Sequence, residues 1–194
     1  MEIIVGLLVS IIFTLAYGAQ IRTLFQSKDL SGVSLWFWVF IATPVTFTFI
    51  HLVSSGADWY VSIPQLINAV LGLFILSFVS FMSKNLIKVL LFWLMMIVII
   101  LSPTVFSIPY DIIQNVSTVM ILVAYMIQIF KFKKLETSAG TDVLLYLFFA
   151  LGMTILLTQM ILTHVPNTVI VTETTNIILL LTCAFLSVKY KGEK

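Results

Sequence analysis

Long apolar runs separated by short polar breaks dominate the chain. They cover residues 3–21, 34–53, 60–81, 86–101, 112–130, 143–162 and 168–188. A helix that crosses a bilayer needs about 20 apolar residues, within roughly 17–25. Each run therefore predicts one transmembrane helix, the fourth being the shortest. Turn formers and charges fill the breaks, as in Lys28 to Gly32, Ser54 to Asp58, Ser83 to Asn85, and at Pro103, Gly140 and Pro166. A membrane β-barrel would instead show segments of about 10 residues with alternating polarity. Residues 90–101 are apolar on every side, so the fold class is all-α. The first run follows Met1-Glu2, with no basic residue and no clear small-residue cleavage site, so it reads as a retained span.

Composition agrees with this. Of 194 residues, 61% are hydrophobic and 9% are charged, and the mean hydropathy is +1.17. A soluble domain carries about 25% charged residues to cover its surface. The balance argues against a soluble enzyme, a nucleic-acid binder and a disordered chain. Cys183 is the one cysteine, so an intramolecular disulfide is excluded, and its apolar setting predicts a buried thiol. His51 and His164 have no partner at ligand spacing, so neither a metal nor another cofactor is expected. No nucleophile with its base, phosphate loop or paired carboxylate is present, which argues against an enzyme. The expected partners are the lipid bilayer and a small-molecule solute, and the sequence leaves a homo-oligomer open. The short loops suggest a plasma membrane.

The charges set an orientation. All ten basic residues lie in or beside the loops after the first, third and fifth runs, or in the C-terminal tail. They are Arg22, Lys28, Lys84, Lys88, Lys131, Lys133, Lys134, Lys189, Lys191 and Lys194. Positively charged loops stay in the cytoplasm. This predicts seven crossings with the N-terminus outside and the C-terminus cytoplasmic.

Sliding the chain by 108 positions aligns residues 16–79 with 124–187 without a gap. The polar matches are Tyr17 with Tyr125, Gln20 with Gln128, Gly32 with Gly140, Thr46 with Thr154 and Asn68 with Asn176. Two copies of one three-helix unit follow: residues 1–81, a linker helix at 82–102, and 103–194 with the short basic tail. An odd linker helix returns the chain to the starting side, so both units point the same way, a 3+1+3 arrangement of parallel repeats.

Polar residues inside spans are the candidates for function, because burying them unpaired costs free energy. Asn68 and Asn176 lie near mid-depth at repeat-equivalent positions, and their amides suit a hydroxylated or zwitterionic solute. The alternative is an interhelical hydrogen bond, worth about 0.6 kcal/mol. Gln65 and Glu173 precede them by three residues and share their helix faces. Glu173 points to proton coupling or cation binding, or else reaches outer-leaflet water. Tyr17 with Gln20, and Tyr125 with Gln128, form either an inner gate or structural packing. Asp111, Asn115 and Thr118 share one face, which is either a wet vestibule or polar packing. Trp36, Trp38 and Trp59 sit near span ends as expected of interfacial anchors.

The pattern resembles the PQ-loop repeat superfamily, and within it the SWEET sugar transporters. The first copy reads Tyr17-Gly18-Ala19-Gln20, then Lys28 through Gly32-Val33-Ser34; the second reads Tyr125-Met126-Ile127-Gln128, then Glu136 through Gly140-Thr141-Asp142. The proline of the family's Pro-Gln pair is Ala19 in one copy and Ile127 in the other. The resemblance implies alternating access by two bundles around a midplane site for a small neutral solute, a sugar in that family. Asn68 and Asn176 would line the pocket, with Pro44 and Gly152 as flexible points. Related carriers suggest a proton-coupled amino-acid carrier as an alternative, and related folds a membrane receptor without transport.

Overall fold

A computed structural model describes residues 2–100, 110–164 and 167–191. Among them there are seven helices and no strand: α1 (Glu2–Gln26), α2 (Leu35–Ser54), α3 (Trp59–Met82), α4 (Leu86–Ile100), α5 (Tyr110–Leu135), α6 (Val143–Leu162) and α7 (Asn167–Lys189). All except α4 are long and apolar enough to cross a membrane. The chain is thus an integral membrane protein. The described length of α4 rises about 22 Å at 1.5 Å per residue, short of a hydrocarbon core of about 30 Å. The expected end of the linker helix at 101–102 and the Pro103 break lie outside the described residues, as do Pro166 and Lys194.

Two helices outrun their apolar segments. α1 continues past residue 21 to Gln26, and α5 past residue 130 to Leu135. Arg22, Gln26, Lys133 and Lys134 are good helix formers. The apolar run marks where the lipid ends, and the backbone continues until a turn former interrupts it.

Residues 108 apart hold matching places in the helices. Leu35 and Val143 open α2 and α6, Ser54 and Leu162 close them, and Trp59 and Asn167 open α3 and α7. The caps match as well. Ser34 Oγ accepts from the Phe37 amide, and Asp142 Oδ1 accepts from the Leu144 amide. Each satisfies a donor left unpaired at a helix start.

The six long helices close into a ring. α1 packs on α3 and α6, α3 on α2, α2 on α5, α5 on α7, and α7 on α6. α4 packs mainly on α3, at the edge. Side chains such as Ile4, Phe81, Ile87 and Phe185 expose more than two thirds of their surface on the outside, the environment lipid tails solvate. Many hydroxyls bond back to the carbonyl four residues earlier, which satisfies them within their own helix. Thr46 to Ala42 and Thr154 to Ala150 do this at 2.7 Å each, so that repeat-matched pair serves the helix itself.

Candidate solute cavity

Where α1 and α5 end, each half of the ring grips the loop of the other. Gln20 Nε2 donates to the Gly140 carbonyl at 2.7 Å, and its Oε1 accepts from the Asp142 amide at 2.9 Å. Gln128 Nε2 donates to the Gly32 carbonyl at 2.7 Å, and its Oε1 accepts from the Ser34 amide at 3.1 Å. Each carboxamide has a donor and an acceptor side and so bridges a backbone carbonyl and a backbone amide, as a neighbouring strand would. The Gly32 amide adds a bond to the Ala139 carbonyl at 3.1 Å.

The close approach requires glycine. A Cβ on Gly32 would meet backbone atoms of Ser138 and Ala139 at 2.5–2.7 Å. One on Gly140, whose φ is +79°, would meet the Leu30 side chain at 2.8 Å. Outer bonds differ between the copies. Thr23 Oγ1 donates to Asp142 Oδ2 at 2.6 Å, whereas its counterpart Lys131 donates to the Val33 carbonyl.

Beyond this clasp lies a cavity of about 560 Å³, within the usual range of small-ligand sites. Its inner end is aromatic. Tyr17 packs against Trp38 (centroids 6.2 Å apart) and Phe149 (5.1 Å), and Phe37 against Tyr125 (5.9 Å) and Tyr146 (6.4 Å). The cavity reaches the opposite helix ends, where it is lined by Tyr60, Gln159 and the exposed Thr163.

Polar groups interrupt the apolar wall in its middle. Asn68 and Asn176 both line the cavity, each about 14 Å into its helix at 1.5 Å per residue. Both are more than nine-tenths buried, and the Oδ1 atom of each has no hydrogen-bond partner among the described residues. Glu173 lines the same cavity and is equally buried. Its carboxylate accepts from Asn176 Nδ2 at 3.0 Å. Gln65 completes the pair on α3, and Thr48 Oγ1 donates to Ser117 Oγ at 3.5 Å across α2 and α5.

The structure thus brings Asn68, Asn176, Gln65, Glu173, Tyr17 and Tyr125 to one cavity. Gln20 and Gln128 stand apart from it, buried in the clasp, so the Tyr–Gln pairs divide between floor and closure. Pro44 and Gly152 are buried in the wall helices α2 and α6. A Cβ on Gly152 would meet the ring of Phe13 at 2.5 Å, and that ring lines the cavity.

Trp38 corrects an expectation. It is 2% exposed and lines the cavity, whereas Trp36 and Trp59 are each 54% exposed. Depth alone assigned it to the interface. The signal that separates it is its position 108 residues before Tyr146, another aromatic on the inner face. The polar face proposed at the start of α5 divides too: Thr118 lines the cavity, Asn115 is exposed, and the side chain of Asp111 lies outside the described residues. Gln159 lines the cavity without having been singled out; it is the repeat counterpart of His51.

No family model, curated protein or solved structure matches this chain.

Proposed function

We propose that the protein is a membrane carrier of a small organic solute, working by alternating access. In this reading the chain crosses the plasma membrane seven times, with the N-terminus outside. Two parallel three-helix bundles, α1–α3 and α5–α7, are joined by α4, the arrangement of the SWEET branch of PQ-loop proteins. The carrying observation is a cavity inside the ring of six long helices, next to the reciprocal glutamine bonds at one end and lined at mid-depth by two buried amides whose Oδ1 atoms have no partner among the described residues. The closure distinguishes the cavity from an open pore, and most buried polar atoms in native proteins are hydrogen-bonded, so unpartnered acceptors support a binding role. With the basic loops in the cytoplasm, the clasp closes the cytoplasmic end and the described state faces outward. Pro44 and Gly152 supply the flexible points. The resemblance implies a neutral solute such as a sugar. The buried carboxylate of Glu173 favours a second reading, proton-coupled transport of an amino acid.

Counterflow in proteoliposomes with labelled sugars and amino acids tests transport directly. A carrier exchanges internal for external solute, and Asn68→Ala and Asn176→Ala each lower the exchange by about tenfold or more, the loss expected for one well-made polar contact. Absence of exchange for the whole panel, with the protein folded, would favour a receptor.

A further inference from the structure

We infer that the cavity is built for a solute carrying a protonated primary amine on an apolar body and no carboxylate. The inference rests on the carrier reading for transport and on the cavity alone for binding, and it replaces the sugar and amino-acid substrates of that reading with a third class. The cavity holds one carboxylate, Glu173, and no Lys, Arg or His lines it among the described residues. A buried carboxylate without a countercharge is costly, and one hydrogen bond from a neutral amide does not supply that charge. Asn68 and Asn176 line the same cavity, and the Oδ1 atom of each is buried with no hydrogen-bond partner among the described residues. A primary ammonium brings three donors and the one positive charge that Glu173 lacks, beside two amide side chains in the same wall.

The rest of the wall describes the rest of the solute. Tyr17, Trp38, Tyr125, Tyr146 and Phe149 line the inner end. Aromatic faces attract cations and accept flat apolar groups. A bare sodium ion would leave most of about 560 Å³ unfilled. A sugar would find too few polar partners along an apolar wall and would leave the carboxylate without a countercharge. An amino acid would bring a second carboxylate with no basic residue to receive it.

The test is calorimetric titration of the purified full-length protein in detergent micelles with 2-phenylethylamine, its neutral analogue 2-phenylethanol, phenylalanine, glucose and sodium chloride. The amine binds, and the alcohol binds at least about tenfold more weakly, as loss of a charge-assisted hydrogen bond requires. Phenylalanine and glucose bind more weakly still, and Glu173→Gln lowers amine affinity by a similar factor while leaving the alcohol unchanged. The proposal is overturned if the alcohol or glucose binds as tightly as the amine, if sodium binds and displaces the amine, or if Glu173→Gln leaves amine binding intact. Should that variant misfold, the ligand series on the unaltered protein decides alone. Counterflow keeps the two readings apart. Amine binding without amine exchange supports the site and removes transport; glucose exchange without amine binding keeps transport and overturns the site.

Discussion

The two ends of this molecule obey different rules. At the clasp, residues 108 apart make the same bonds: Gln20 and Gln128 each hold the loop beyond Gly140 and Gly32. Along the cavity the symmetry is partial: Tyr17 and Asn68 are matched by Tyr125 and Asn176, while other counterparts diverge. Gln65 is matched by Glu173, Thr48 by Leu156, and Ser117 by Val9. A seam between two like halves is solved once and used twice, so any change must suit both loops. A cavity for an unsymmetrical solute gains nothing from symmetry, and a charge on one side gives the solute a direction. The asymmetry of the polar groups is therefore the chemical signal, and the symmetry of the clasp the mechanical one.

Gly32→Ala breaks the comparison most severely. Its Cβ would run into backbone at 2.5–2.7 Å, and overpacking of this kind costs about 3 kcal/mol. Thermal unfolding in detergent micelles should show a large loss. Gly140→Ala should also lose stability, for a second reason: a side chain is strained at φ +79°, and its Cβ would meet the Leu30 side chain at 2.8 Å and the Asp29 carbonyl at 3.0 Å.

Gln20→Leu and Gln128→Leu come next. Each leaves a backbone carbonyl and amide of the opposite loop without a partner, a cost of about 1–3 kcal/mol. Symmetry requires the two losses to agree closely. In contrast, Asn68→Ala and Asn176→Ala should differ in their effects on ligand binding, since only Asn176 holds the carboxylate. Equal effects at the asparagines and unequal effects at the glutamines would reverse the account.

The smallest effect concerns a turn. Gly56 and His164 are 108 apart and both have positive φ, 71° and 57°, just beyond α2 and α6. Histidine is strained there and glycine is not. His164→Gly should raise stability by about 1 kcal/mol, measured by the same unfolding assay.

Much of this was legible in the chain before any coordinates. Apolar length locates helices because lipid cannot hydrogen-bond a broken backbone. Asn68 and Asn176 are conspicuous because few amides occur in such runs. The roles of Gln20 and Gln128 were not legible, since spacing puts a residue on a face without saying what meets it. Their partners are backbone atoms more than 90 residues away. Trp38 was misassigned for a related reason. Depth in the membrane and direction toward the cavity are independent coordinates, and the apolar pattern reports mainly the first. Helix ends beyond the lipid, as in α1 and α5, escape a measure of apolarity altogether.

The most direct measurement is pulsed electron spin resonance on two doubly labelled forms in a Cys183→Ala background, reconstituted in bilayers. One pair, Lys28 and Lys134, spans the two halves at the clasp; the other, Ser55 and Thr163, spans them at the far ends of α2 and α6. Alternating access predicts two distances for each pair, the clasp pair lengthening as the far pair shortens. Gln20→Leu with Gln128→Leu should shift the population toward the open clasp. A single distance for each pair, unmoved by those substitutions, would contradict the account.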